Sequence, residues 1–150
     1  MRVVVQRVSS ASVEIAQTTI TQIDHGLLIL LGIEEDDNQD DVIWLCGKIS
    51  KLRIFNNDND VMDLAVSEVK GEILLVSQFT LHASTKKGNR PSYIRAARPE
   101  QAIPLYELFV RQLSQDSGTQ VKTGVFGAMM NVSLVYNGPV TILIDSRNKE

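Results

Sequence analysis

Two uninterrupted apolar segments constrain the fold of this chain more than any other feature. Gly26 leads into Leu27-Leu28-Ile29-Leu30-Leu31, and Glu72-Ile73-Leu74-Leu75-Val76-Ser77 follows later. Apolar runs of strand length, without polar alternation, suit strands buried on both faces. A sheet built on them needs cover on two sides. With 150 residues, 43% of them hydrophobic, the chain can provide it. A chain of this size buries about 68–70% of its unfolded surface and needs no disulfide staples. Length alone predicts one domain over residues 1–150.

The remaining segments fit around those strands. Residues 2–8, with Val3-Val4-Val5 and Val8, are expected to form a strand, and Ser12 to Ile15 a second, joined onward through Gln17-Thr18-Thr19. An acidic cluster ending at Asn38 offers N-cap chemistry. Val42, Leu45, Cys46, Ile49 and Leu52 then recur at helical spacing. Asn56 to Asp60 has turn composition. It resembles a calcium loop only superficially, lacking the glycine at the sixth position and the closing glutamate. A second helix is expected from about Pro99 to Gln115, with Ala102, Leu105, Phe109 and Leu113 facing inward and Gly118 ending it. Pro104 implies either a later start or a kink. Strands at Gln120–Thr123, Ala128–Val135 and Val140–Ile144 complete the chain, and tight turns between them imply antiparallel pairing. The order β-β-β-α-β-β-α-β-β-β predicts a mixed α/β fold, layered β/β/α, with mixed and antiparallel sheet and two main helices.

Charge and cysteine content narrow the class of protein. The one cysteine, Cys46, cannot form an intrachain disulfide and falls on the apolar stripe of the first helix. Charges at Arg2 and Arg7 interrupt any leader-peptide core, and the longest apolar run is far too short for a membrane span, so a cytoplasmic location is expected. Net charge is −3, which argues against a generic nucleic-acid binder, but its distribution is lopsided. No acid occurs from Ile73 to Pro99, where Lys86, Lys87, Arg90, Arg95 and Arg98 fall. Such a stretch can steer a polyanion to one face, or can be a solvated loop.

Standard catalytic constellations are missing. There is no phosphate loop, no dinucleotide fingerprint and no Cys-x-x-Cys. Two histidines, His25 and His82, are too few for a usual zinc site, so neither metal nor cofactor is expected. A triad of Ser77, His82 and a distant acid lacks the Gly-x-Ser-x-Gly elbow that would expose the serine. His82 is more simply a residue that caps, packs or faces solvent. Two segments stand out instead. Ser77-Gln78-Phe79-Thr80-Leu81 sets polar residues at the end of an apolar strand, which is either a site or the routine polarity of an edge strand. Asn137-Gly138-Pro139-Val140-Thr141 is either a hairpin turn or, with a cis bond, a pair of carbonyls aimed one way to grip an ammonium group.

Together, in this order, those two segments resemble the two motifs of the D-aminoacyl-tRNA deacylase (D-tyrosyl-tRNA deacylase) family. The similarity extends to Arg2-Val3-Val4-Val5-Gln6-Arg7-Val8, Arg53-Ile54-Phe55, Arg90-Pro91-Ser92, Gly124 to Ala128 and Val132 to Val135, colinearly over residues 1 to about 145. Either motif alone is weak; the ordered set is specific. Two departures occur: His82 stands where a small or aromatic residue is usual, and Tyr136-Asn137 where Asn-Asp is common. The first could alter the rim of the pocket.

The resemblance implies a proofreading ester hydrolase that frees D-amino acids from tRNA, acting as a homodimer with sites at the interface. Backbone N–H groups around Gln78, Phe79 and Thr80, with Ser77, would hold the ester carbonyl. A ribose hydroxyl of the substrate would assist the attacking water, and Thr80, lacking a base, would position rather than attack. Gly138 and Pro139 would enter the partner's pocket as the filter against L-amino acids, steadied by Arg7 beside Asn137. Phe79, Phe126 and Met130 would offer apolar surface to the adenine. Lys86, Lys87 and Arg90 would meet acceptor-stem phosphates. Glycine on a noncognate tRNA is the competing substrate, and a silent RNA-binding dimer the competing class.

Overall fold

The computed structural model describes residues 1–149. Its strands are β1 (Arg2–Ile15), β2 (Thr18–Ile23), β3 (Gly26–Gly32), β4 (Phe55–Asn56), β5 (Met62–Leu64), β6 (Glu72–Ser77), β7 (Val121–Thr123) and β8 (Asn131–Asp145). The helices are α1 (Gln39–Ile49) and α2 (Pro99–Ser117), and a 3-10 turn spans Phe79–His82. The fold is mixed α/β, as the order of elements read from the sequence implies. The two apolar runs become neighbours: β3 and β6 pair in parallel, Leu31 opposite Ser77, and β7 extends the sheet in parallel beside β6. The tail therefore does not pair antiparallel throughout. β6 is interior, so the polar residues at its end are not those of an edge strand.

Both faces of β3 and β6 are buried, by different partners. Leu27, Ile29, Leu31, Ile73 and Leu75 join Val42, Leu45, Cys46 and Ile49 of α1 and Ala102, Tyr106, Phe109 and Leu113 of α2. Leu28, Leu74 and Val76 pack instead with Val8, Ala11 and Val13 of β1 and with Ile23. The second β layer is thus the far half of β1 with its β2 partner, curling over the face opposite the helices. β1 changes layers at Arg7-Val8, where two successive residues are buried and the alternation slips. The two strands expected before Ile15 are one strand because the chain does not turn there; it shifts its inward face.

Hydrogen bonding explains the helix boundaries. Asn38 caps α1 with a reciprocal capping box through Asp41. α2 starts at Pro99, runs past Pro104 and ends at left-handed Gly118, φ 66°. Pro104 is tolerated because it is exposed and the Glu100 carbonyl it leaves unbonded can face water. Tyr106, rather than Leu105, is the buried residue of that stripe, and its hydroxyl donates to the Leu75 carbonyl at 3.0 Å. Burial pushes that phenol up to about 12. Burial likewise raises the Cys46 thiol, which leaves a core residue and not a reactive one. No helix is long and apolar enough to cross a membrane.

Candidate active site

The first motif leaves β6 and immediately tightens. Gln78 N–H donates to the Leu31 carbonyl at 2.7 Å, the Leu81 N–H to Gln78 at 3.2 Å, and the Ala83 N–H to Thr80 at 3.0 Å. Gln78 therefore spends its backbone donor on the sheet. Phe79 and Thr80, the first residues of the 3-10 turn, have no backbone acceptor among the described residues, as helix starts require. Two adjacent free N–H groups remain, narrower than the set expected from Gln78 to Thr80. The Gln78 side-chain amide donates to the Thr80 hydroxyl, occupying an acceptor site on that oxygen.

The turn can form because Gly32 lies beneath it. A Cβ on Gly32 would stand 2.9 Å from Leu81 Cβ, 3.0 Å from the Gln78 carbonyl oxygen and 3.1 Å from His82 Cδ2. His82 is buried under the turn against this glycine, away from any pocket rim. Among the described residues its ring nitrogens have no hydrogen-bond partner, and Nδ1 lies 3.8 Å from the Glu34 carboxylate. Desolvation lowers its pKa, against the opposing pull of the Gly32 carbonyl and Glu34. A Ser77–His82 pair is absent, so the imagined triad fails on geometry.

An apolar pocket of about 320 Å³ opens beside the turn, lined by Ser77, Gln78 and Phe79 on one side and by Phe126 through Met130 on the other. Phe126 is fixed by an edge-to-face contact with Tyr106, centroids 5.5 Å apart. The structure thus brings Phe126 and Met130 to the motif. They come from the loop after β7, since β8 begins at Asn131 and not at Ala128. Thr80 faces the other way, into a larger groove of about 1020 Å³ shared with Arg2, Trp44, Leu143 and Lys149.

The second motif is not a hairpin turn. It lies inside β8, which is one strand from Asn131 to Asp145. Gln6 pairs with Thr141 and Val8 with Tyr136, so residues 137–140 have no partner in the register and bulge out opposite Arg7. The Gly138–Pro139 peptide is cis. Both residues are exposed and line neither pocket of their own chain. Arg7, 8% exposed, ties the bulge down. Its Nε donates to the Asn137 carbonyl at 3.2 Å, while Nη1 donates to the Ile54 carbonyl at 2.6 Å and to Asn56 Oδ1 at 3.2 Å. This brings Arg7, Asn137 and the Arg53-Ile54-Phe55 segment together, although they are distant in sequence.

Lys86, Lys87 and Arg90 are exposed on the segment after the turn. The sequence reading passes over two residues that the structure brings to the site: Gly32 under the turn and Tyr93 beside it. Gly32 was legible only as the end of an apolar run, and Tyr93 only as the residue after Arg90-Pro91-Ser92. Among the described residues, no three metal-ligating side chains gather anywhere.

A strand-end turn with free N–H donors beside an apolar pocket can stabilise the oxyanion that acyl transfer or ester hydrolysis generates. Comparisons specify it further. The model of the family described as D-Tyr-tRNA(Tyr) deacylase matches residues 4–145. A D-aminoacyl-tRNA deacylase of Flavobacterium psychrophilum is 61% identical over the full length of both chains, and one of Bacteroides fragilis is 59% identical, also over both full lengths. The chain belongs to the D-Tyr-tRNA(Tyr) deacylase family. Among solved structures, a protein described as a c-Myc DNA unwinding element binding protein superposes with a TM-score of 0.90 at 38% identity, covering 97% of this chain and 98% of its own. A probable eukaryotic D-amino acid tRNA deacylase, 15% identical with a TM-score of 0.82, covering 95% of this chain and 97% of its own, shares the fold.

Proposed function

We propose that this chain hydrolyses the ester of D-aminoacyl-tRNA, releasing D-amino acid and tRNA, as a cytoplasmic homodimer that proofreads aminoacylation. The pair of unpartnered N–H groups at Phe79 and Thr80 beside the apolar pocket carries the reading. They would donate to the ester carbonyl oxygen and stabilise the charge it gains. Water adds to the carbonyl carbon with help from the neighbouring ribose hydroxyl, the ester C–O bond breaks, and the departing ribose oxygen takes the proton. Ser77 and Gln78 frame the turn, and Thr80 positions it. Among the described residues its hydroxyl is paired with the Gln78 amide and with no base. The adenine takes the apolar surface of Phe126 and Met130, while Lys86, Lys87 and Arg90 meet the acceptor phosphates.

The dimer is supported by β8. Its outer edge pairs with no strand among the described residues, and it exposes Leu134, Val135, Tyr136 and Leu143. A long, apolar, unpaired edge strand is normally covered. Covering it with a second copy would bring the partner's Gly138-Pro139 bulge, held by Arg7 through Asn137, to the pocket as the filter that rejects an L side chain. Glycine has no side chain to reject, so glycyl-tRNA is the second substrate. Side-by-side hydrolysis of D-tyrosyl-, glycyl- and L-alanyl-tRNA tests the proposal. The first two should be cleaved and the third spared; an intact D-tyrosyl ester sinks it.

A further inference from the structure

We infer that Tyr93, packed against Phe79 and carried by the basic segment after the motif, is a stacking platform for an unpaired nucleotide near the 3′ end of the RNA. This rests on the reading of the site as one that acts on tRNA esters. After the 3-10 turn the chain makes a small hairpin in which Ser84 and Ser92 exchange backbone hydrogen bonds of 2.8 and 2.9 Å. Lys86, Lys87 and Arg90 are exposed at its tip, where Gly88 takes a φ of +69°. The returning limb is pinned to the core. Glu35 N–H donates to the Arg95 carbonyl at 3.1 Å, Ala97 N–H to Ile33 at 2.9 Å, and the Arg95 guanidinium pairs with buried Glu34.

That pinning sets the Tyr93 ring edge-to-face on Phe79, with centroids 5.1 Å apart and planes at 76°. Neither ring is spent on the core: Phe79 is 57% exposed and Tyr93 39%. The Tyr93 hydroxyl has no hydrogen-bond partner among the described residues. An edge-to-face pair leaves ring face uncovered. A preorganised aromatic face flanked by exposed lysine and arginine, in a stretch free of acids, is the chemistry that binds single-stranded nucleic acid. The Phe79 N–H fixes where the ester would lie, so the nucleotide preceding the terminal adenosine would leave the pocket along the Phe79–Tyr93 pair, towards the basic hairpin.

Fluorescence anisotropy with an uncharged RNA stem bearing a short unpaired 3′ tail, and with the same stem cut blunt, tests this on the full chain. The wild type should prefer the tailed RNA by about tenfold, the scale of one base stacked on one aromatic ring. Tyr93→Leu should abolish that preference, Tyr93→Phe should keep it and Tyr93→Trp should keep or raise it. Replacing Lys86, Lys87 and Arg90 together by Ala should weaken both RNAs and flatten their salt dependence. A wild type indifferent to the tail overturns the inference. So does a folded Tyr93→Leu that keeps the full preference. The tail comparison on the wild type, with Tyr93→Trp, decides the matter even if Tyr93→Leu does not fold. Neither RNA carries an ester, so Tyr93-dependent tail binding without D-tyrosyl-tRNA hydrolysis would sink the functional reading and leave this one standing. Hydrolysis without tail preference would do the reverse.

Discussion

The two motifs are built in opposite ways. The turn at residues 77–82 is held from every side by its own chain: a ladder bond to Leu31, a glycine below it, buried His82 beneath, and the 124–130 loop across the pocket. The bulge at 137–140 lies on the edge strand β8 with Gly138 and Pro139 exposed, and one buried arginine steadies it. A part that must stabilise charge needs donors fixed before the substrate arrives. A part that inspects a substrate held by another subunit needs to project. On the proposed reading the contrast is between a cradle complete within one chain and a filter completed by a second, and it can be broken at either end.

The largest effect is expected at the cradle. Gly32→Ala puts a methyl group into the Gln78 carbonyl and the Leu81 side chain, displacing both donors. Deacylation of D-tyrosyl-tRNA should fall by about 10²–10³-fold, the cost of losing oxyanion donors. Steady-state kinetics with a parallel thermal melt separates this from unfolding.

At the filter, Arg7→Ala strips the donors from the Asn137 and Ile54 carbonyls. Leaving such buried acceptors unmet costs about 1–3 kcal/mol. Chemical denaturation should show that loss, and cleavage of L-alanyl-tRNA should rise relative to D-tyrosyl-tRNA. Arg7→Lys keeps the charge without the fork and should recover only part of the discrimination. An unchanged D-to-L ratio in folded Arg7→Ala would detach the bulge from selectivity.

Thr80→Ala retains its backbone N–H and loses only a hydroxyl that already accepts from Gln78. A drop of less than about tenfold is expected, whereas loss of a true nucleophile is catastrophic. The smallest effect concerns the floor of the cradle. His82 is buried with its pKa lowered by desolvation. The unfolded chain binds a proton that the folded chain refuses, so stability present above the ordinary value of 6.5 is lost as pH falls from there through the lower folded value. Melting measured from neutral to mildly acid pH should show this slope, and His82→Leu should flatten it.

How much of this was written legibly in the sequence follows the same division. The buried strands β3 and β6, the Asn38 cap and the Gly118 stop depend on local chemistry, and residues within a few positions specify them. The β1–β2 hairpin was missed because it turns on Ala16 and Gln17, with φ of 48° and 63°. That left-handed conformation is one for which glycine or asparagine is the usual signal. Asn137-Gly138-Pro139 carries every local mark of a turn, yet pairing with β1 on either side of it, Gln6 with Thr141 and Val8 with Tyr136, carries the strand on past the bulge. The burial of His82 and the meeting of Tyr93 with Phe79 are long-range outcomes that no local pattern encodes. The motif residues themselves were legible as a family pattern; that Gln78 spends its N–H on Leu31 was not.

The central claim is that cradle and filter act from different chains. It is tested most directly by mixing two proteins, Gly32→Ala with an intact bulge and Pro139→Ala with an intact turn, after dissociation and reassociation. Pro139→Ala is chosen because losing the Gly138–Pro139 pair would also remove the two carbonyls proposed to grip the substrate's ammonium group. Neither protein alone should then hydrolyse D-tyrosyl-tRNA. In a symmetric dimer one site of each mixed pair is whole, so D-tyrosyl-tRNA hydrolysis should return to roughly a quarter of the wild-type rate. If the mixture hydrolyses no faster than the two variants measured apart, each chain works alone and the account is wrong.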